Sequence, residues 1–355
     1  MIPPRDARPG EAHGAAILTV RHASVRFGET AALRTADLDL YPGRITAILG
    51  PSGAGKSTLL RAIAGFQRLS EGVIAMDGAT LTDGVRMMPA EQRGIGMVVQ
   101  DLALFPHLNA WRNIAFGLRG AQARPTAIEW LARLGLEHRA DAYPHELSGG
   151  EQQRIALARA LAPEPAVVLL DEAFSSLDPQ LRRGLRRETE ALLRQSGAAV
   201  LMVTHDPDEA MEMADDLVVM AGGKVLQRGA PQTVYWAPQS ALVGSLLGEI
   251  NVLGGRTEGG VLRTDFGALE IAGARDDQQI EALVRPSAVS VRPATADTGL
   301  RIVRSTFRGA DTMLAIENAR SERLVALLPG GTDLEPGQPV EVEFDCARVA
   351  FIESH

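Results

Sequence analysis

The chain has 355 residues, enough for two domains of ordinary size, with 45% hydrophobic and 23% charged residues, the proportions of a soluble globular protein. Its longest apolar runs, such as Ala198 to Val203, are far too short for a helical membrane span, and residues 1–16, with Pro3, Pro4 and Pro9 but no apolar core, read as a disordered tail rather than a targeting segment. A net charge of −8 argues against a nucleic-acid partner, and the single cysteine, Cys346, excludes an internal disulfide and any Cys-rich zinc site and fits a reducing cytoplasm.

In chain order, short apolar runs joined by turns come first: Ile17 to Val20, Ser24 to Phe27, Leu38 to Leu40, and Ile45 to Leu49 after a Pro42-Gly43 turn. The ring of Phe27 is flat enough to stack on a base, and equally suited to packing on a strand. Ile45 to Leu49 runs into Gly50-Pro51-Ser52-Gly53-Ala54-Gly55-Lys56-Ser57-Thr58, and Leu59, Leu60 and Ile63 continue with helical spacing. Strand, glycine-rich loop and helix in that order predict a phosphate-binding loop. Gly50 and Gly55 let successive N–H groups face one concavity, Lys56 reaches the β- and γ-phosphates, and Ser57 offers its hydroxyl to Mg²⁺. Of the 36 basic residues only Lys56 and Lys224 are lysine, so this slot takes a compact ammonium in a chain that otherwise uses arginine.

Gly72 to Gly78 reads as a further strand and turn, and Ile95 to Val99 as a strand ending at Gln100. From about residue 101 to 163 the β-branched alternation gives way to helical spacing, as at Ile128, Leu131 and Leu134, which predicts a helical insertion. Ser148, Gly149 and Gly150 open a helix through Glu151 and Gln152 that Pro163 stops, a geometry that fits a second anion site or a plain N-cap. Ala166 to Leu170 is a buried strand that delivers Asp171 and Glu172 at its end, where acids are costly unless they meet a cation or a water to activate. Asp171 then suits the Mg²⁺ shell and Glu172 a general base. Ser175 to Asp178 read as a turn before an arginine-rich helix, whose Arg182, Arg183, Arg186 and Arg187 read as a solvated face balanced by Glu188 and Glu190. Ala199 to Val203 ends in Thr204-His205-Asp206, a third polar group set at a strand end beside the phosphate loop.

Taken together, these residues resemble the nucleotide-binding subunits of ABC transporters over about residues 17–245. The resemblance rests on the Walker A loop Gly50 to Ser57, Gln100 of the Q-loop, the signature LSGGEQQ from Leu147 to Gln153, and the Walker B strand Val167 to Glu172. The D-loop Ser175 to Asp178 and the H-loop His205 complete it in the family's order. It implies an α/β P-loop NTPase core of RecA-like type with a helical insertion, binding ATP and Mg²⁺ and hydrolysing ATP. Phe27 falls on the aromatic A-loop position, and Ala173 departs from the usual proline. The implied mechanism pairs two chains head to tail, Ser148 and Gly150 of one facing the Walker A loop of the other. Gln100 then senses the γ-phosphate and adds to the Mg²⁺ site of Ser57 and Asp171, Glu172 activates water, and His205 positions it.

Residues 250–355 carry short β patterns: Gly260 to Arg263, Ala282 to Arg285, Val289 to Arg292, Leu300 to Thr306, Met313 to Glu317, Leu324 to Leu328 and Val340 to Phe344. The Leu283-Val284-Arg285-Pro286 stretch is similar to the opening of the TOBE-type, OB-like barrel of import ATPases. That resemblance implies a peripheral protein on the cytoplasmic face of the plasma membrane, bound to permease subunits and served indirectly by a solute-binding protein outside. The Leu104 to Leu108 and Asn113 to Leu118 segments are similar to the permease-facing pattern. Within importers the chain looks most like ferric-iron uptake ATPases, with spermidine/putrescine, thiamine, phosphonate and sulfate importers close in pattern. A DNA-repair ATPase, a ribosome-associated ABC protein and an oxyanion sensor are the competing classes. The first lacks its coiled coil or zinc site here, the second its second Walker A loop.

Overall fold

The computed structural model describes residues 14–174, 179–271, 276–296 and 298–353, with backbone alone over 179–182. They fall into two compact units divided between Pro231 and Gln232. The turn Ser175 to Asp178, and Asp178 with it, lies outside the described residues, as does most of the tail.

The first unit is an α/β domain. It begins with β1 (Leu18–Phe27), β2 (Thr30–Leu40), β3 (Ile45–Leu49), α1 (Lys56–Ala64), β4 (Glu71–Met76), β5 (Ala79–Thr82) and β6 (Ile95–Val98). The helical insertion α2 (Ala110–Ala115), α3 (Ala123–Arg133) and α4 (Gly149–Leu161) follows, then β7 (Val167–Asp171), α5 (Pro179–Ser196), β8 (Ala199–Thr204), α6 (Pro207–Met213), β9 (Asp216–Ala221) and β10 (Lys224–Gly229). A central sheet runs β10-β9-β3-β8-β7-β6, parallel except for β10, and an antiparallel sheet runs β2-β1-β4-β5. Every residue of β3, β7 and β8 is buried, which is why these strands read as unbroken apolar runs rather than as alternating ones. The two runs read from sequence as Ile17 to Val20 and Ser24 to Phe27 are one strand, its register shifted between Val20 and Ala23, where His22 takes a left-handed φ of 52°. Leu18, Val20 and Val25 from β1 pack with Leu59, Leu60 and Ile63 from α1 and with Leu169 and Leu201 from the central sheet. The insertion has its own small core around Ile114, Leu131 and Ile155.

Buried charges tie these layers together. Arg93, 1% exposed, donates through Nη1 to the Ala62 and Ile63 carbonyls in the last turn of α1 at 2.9 and 2.7 Å. Arg186 of α5 is buried too; the sequence placed it on a solvated face, but it pairs with Asp206 at 2.5 Å and lies 3.7 Å from Glu209 of α6. Glu209 also accepts from the Thr204 hydroxyl at 2.9 Å. Burial raises the Glu209 carboxyl from 4.5 to about 7, against the pull of Thr204 and Arg186.

The second unit opens with α7 (Pro231–Trp236) and α8 (Ala241–Leu246) and continues as β11 (Asn251–Glu258), β12 (Val261–Thr264), β13 (Gly267–Glu270), β14 (Gln279–Val284) and β15 (Val289–Pro293). It closes with β16 (Arg301–Phe307), β17 (Asp311–Glu317), β18 (Arg323–Pro329), β19 (Val340–Phe344) and β20 (Val349–Glu353). Three antiparallel sheets, β13-β12-β11-β14-β20, β15-β19 and β16-β17-β18, enclose Leu262, Leu269, Ala282, Ile316 and Leu324. Arg285, read as the end of a strand, is instead a buried clasp. It donates to the carbonyls of Tyr235, Gly244, Gly248 and Glu249 at 2.9–3.2 Å, and its guanidinium lies 4.1 Å from the Tyr235 ring centre.

Two outcomes follow. Arg285→Met strands those carbonyls and is expected to cost the second unit roughly 2–4 kcal/mol, read as a lowered urea midpoint. For Glu209, the unfolded carboxyl ionises near 4.5 and the folded one near 7, so between those values the folded state holds the extra proton and stability falls as pH rises. Glu209→Gln is expected to gain in melting temperature over wild type through that window and to gain nothing more above it, as thermal melts across the range will show.

Candidate functional site

The site is built at the carboxyl ends of β3, β7 and β8, where open parallel sheets place their ligands. Gly50 to Gly55 cross from β3 to α1, and Lys56, Ser57 and Thr58 form the first turn of the helix. A Cβ at Gly50 would run into the Met220 carbonyl oxygen, and one at Gly55 into that of Ala32, where φ is also +93°. Both glycines are therefore required by close approach, and Gly55 by conformation as well. Pro51, Ser52 and Gly53 are exposed at the rim, and Ala54 is buried beneath them.

Lys56 is 5% exposed, its ammonium donating to the Gly50 and Pro51 carbonyls at 2.7 and 3.1 Å. Burial lowers its pKa, opposed by the charges of Glu172 and Asp171. The Ser57 hydroxyl donates to Asp171 Oδ1 at 3.1 Å. Asp171 is 8% exposed, and burial raises its pKa while that hydroxyl, then Arg61, pull it down. Glu172 leaves the strand with a left-handed φ of 47°, its N–H bonded to the Val203 carbonyl at 3.0 Å. That turn carries its carboxylate out of the sheet, 3.3 Å from His205 Nδ1. Ala173 and Phe174 behind it are buried. Ser52 to Thr58 and Glu172 line one open cavity of about 260 Å³. A larger hollow of about 390 Å³, lined by Arg26, Glu29, Arg34 and Glu71, lies on the antiparallel sheet with charges of mixed sign.

The other sequence-derived residues stand apart from this cavity. Phe27 is 54% exposed at the end of β1, and Gln100 is exposed in the turn after β6. Ser148 caps α4 in a capping box: its N–H and hydroxyl donate to Glu151 Oε2 at 2.7 and 2.8 Å, and its Oγ accepts from the Glu151 N–H at 3.4 Å. The Ser148 N–H, then Arg139 at 3.0 Å, hold the Glu151 carboxyl down to about 2. Gly149 and Gly150 form the first turn of α4, and Gln152 donates to the Pro144 and Leu147 carbonyls at 2.9 and 3.1 Å. One chain thus gathers the phosphate loop, both acids and the histidine, but not the signature loop.

Sequence reasoning passed over Glu209, which accepts from the Thr204 hydroxyl beside His205, and Arg159 of α4, which reaches into the turn after Gln100. The signal for Arg159 was a lone cation inside the otherwise apolar Ile155 to Leu161 run.

The ABC transporter family profile matches residues 33–175 and the TOBE domain profile residues 282–352. A Fe(3+) ions import ATP-binding protein (FbpC) of Pectobacterium atrosepticum is 41% identical over 345 residues, 94% of this chain and 99% of that one. A spermidine/putrescine import ATP-binding protein (PotA) of Haemophilus ducreyi is 44% identical over 241 residues, 66% of this chain and 64% of that one. Among solved structures, a dimeric ATP-binding cassette in a post-hydrolysis state bound to ADP and Pi superposes with a TM-score of 0.53 at 30% identity, covering 60% of this chain and 98% of that one. Phosphate loop, paired acids and relatives agree: this chain belongs to the ATP-binding, ATP-hydrolysing subunits of ABC transporters, with a TOBE domain in its C-terminal part.

Proposed function

We propose that this chain energises import through separate permease subunits, with ferric iron as the cargo. The observation that carries the hydrolytic part is the placement of Glu172 on the cavity of Lys56 and Ser57, with His205 Nδ1 3.3 Å from its carboxylate. The phosphates lie along the N–H groups of Gly50 to Thr58 at the start of α1, and Lys56 exchanges its two loop carbonyls for β- and γ-phosphate oxygens. Phe27 stacks on the adenine. Ser57 and Asp171 suit Mg²⁺, a hard cation that takes oxygen ligands at nearly ideal octahedral angles and leaves positions for phosphate and water. Their oxygens are 3.1 Å apart, and the buried Asp171 carboxylate has most to gain from a cation. Gln100 would add a side-chain oxygen to that set. A bound Mg²⁺ neutralises charge building on the phosphate oxygens.

Glu172 takes a proton from water as the water oxygen forms its bond to the γ-phosphorus, the bond to the β-bridging oxygen breaks, and the electron pair leaves with ADP. His205 holds the water and the γ-phosphate in line. Ser148, Gly149, Gly150, Glu151 and Gln152 of a second copy close the other face, so two chains bind two ATP head to tail. The dimeric solved structure bound to ADP and Pi supports the pairing of two chains. No described helix is long and apolar enough to span a bilayer. The Leu104 to Leu118 segment is the permease-facing surface of a subunit held peripherally on the cytoplasmic face. Ferric iron follows from the import relative aligned over nearly the whole chain. Polyamines are the second reading, favoured by the relative matched over 66% of this chain.

Glu172→Gln is expected to bind ATP like wild type, to lose turnover by about a hundredfold or more, and to elute as a dimer with ATP and Mg²⁺; a monomer would overturn the head-to-tail reading. In cells lacking the protein, radiolabelled ferric iron uptake is expected to return with wild type and not with Glu172→Gln. Uptake unaffected by the deletion would remove iron and turn the test to spermidine and putrescine.

A further inference from the structure

The turn after Gln100 is bent in a way its residues resist. Leu102 N–H closes it onto the Val99 carbonyl at 2.9 Å, and then two consecutive non-glycine residues take left-handed backbone, Leu102 at φ 60° and Ala103 at φ 43°. Each costs about 1–2 kcal/mol where an L side chain meets the following carbonyl. Such a pair persists only where the surroundings over-determine it.

Arg159 supplies that determination. It projects from α4, and its two terminal nitrogens each take one of the strained residues' carbonyls: Nη1 donates to Ala103 O at 2.6 Å and Nη2 to Leu102 O at 2.7 Å. A planar fork matches two adjacent carbonyls as an ammonium cannot. The same guanidinium lies 5.3 Å from the Phe105 ring centre, and Phe105 packs on Phe116 at 4.2 Å. Buried Asn113 fixes Phe105 from behind, accepting from its N–H at 2.8 Å and donating to its carbonyl at 3.2 Å. One side chain therefore joins three things: the helix that Ser148 caps, the turn that carries Gln100, and the aromatic pair whose Phe116 is 62% exposed.

We propose that Arg159 is a positioning residue for ATP hydrolysis, a strut that makes the turn carrying Gln100 and the helix carrying the signature loop move as one piece. The inference rests on the reading of Gln100 as the γ-phosphate sensor and adds how its movement reaches Ser148. Without the strut the elbow relaxes, Gln100 withdraws, and the signature helix loses its tie to the nucleotide; ATP still binds, since no residue of the elbow lines the cavity of Ser52 to Thr58.

The test is a double-mutant cycle in the full chain, with steady-state ATPase and fluorescent-ATP binding as readouts. Arg159→Met and Gln100→Ala are each expected to lower kcat by about tenfold with KM for ATP changed less than about twofold, and the double variant to be no worse than the poorer single, because both remove one shared function. Ala103→Gly lifts the left-handed cost at an exposed position and is expected to restore part of the kcat of Arg159→Met while leaving wild type unchanged. Arg159→Lys, which keeps the charge without the fork, serves in the same cycle should the methionine variant not fold, and is expected to fall short of wild type in kcat. Multiplicative losses in the double variant, parallel loss of binding and turnover, or no gain from Ala103→Gly would overturn the strut. A Gln100→Ala protein with full kcat would instead overturn the sensor reading beneath it, leaving an Arg159 defect to be explained by packing alone.

Discussion

The constraint on which the nucleotide site depends is the desolvation of one ammonium. Lys56 has 5% exposure, and its nearest oxygens are neutral carbonyls of its own loop. A cation so placed is costly, and its burial already lowers its pKa. The loop can take that form only because Gly50 and Gly55 approach the carbonyls of Met220 and Ala32 more closely than any side chain would allow. The two acids at the end of β7 lie close enough to oppose the shift. Asp171 is penalised by burial in the opposite sense. A site that holds an under-solvated cation beside an under-solvated anion is pre-organised for a ligand carrying both phosphate and metal, because binding satisfies both at once.

Three arginines brace groups of backbone carbonyls. Arg93 takes the end of α1, Arg159 the elbow after β6, and Arg285 four carbonyls of the α7–α8 segment. Arg186 differs, since it holds carboxylates on either side of the histidine loop. In each case a rigid fork reaches two or more acceptors at once, which a flexible ammonium cannot. The composition, 34 arginines against two lysines, thus has a structural use besides solubility.

Much of this was legible beforehand, and unevenly. The phosphate loop was readable because glycine, lysine and hydroxyl have fixed spacing and fixed jobs. Likewise β3, β7 and β8 were readable because strands buried on both faces leave continuous apolar runs. What could not be read depends on neighbours far along the chain. The strand β11 contains Gly254 and Gly255, which lower its β signal; Gly255 is there because a side chain would meet the Arg263 carbonyl of the adjacent strand. Arg186 sits in a sequence of charges that looks solvated, yet it alone of the described members of that run is buried. Nothing local distinguishes it from Arg183 or Arg187. The left-handed turns at Glu172, Leu102 and Ala103 occupy residue types that do not announce them.

Those turns share a logic. Glycine at 172 would relax the backbone but forfeit the carboxylate, and the strain is held by the N–H bond to Val203 in the neighbouring strand. Glycine at 102 would forfeit an apolar side chain that is 8% exposed, and there the restraint comes from a separate helix. The first is fixed within the sheet, which suits the role of base proposed for Glu172. The second depends on an element of the insertion, so its geometry changes whenever that helix shifts. On the proposed roles, strain of similar size therefore serves two ends in one domain: held by the sheet, it aims the proposed base; held by a helix, it links the turn of Gln100 to the helix that Ser148 caps.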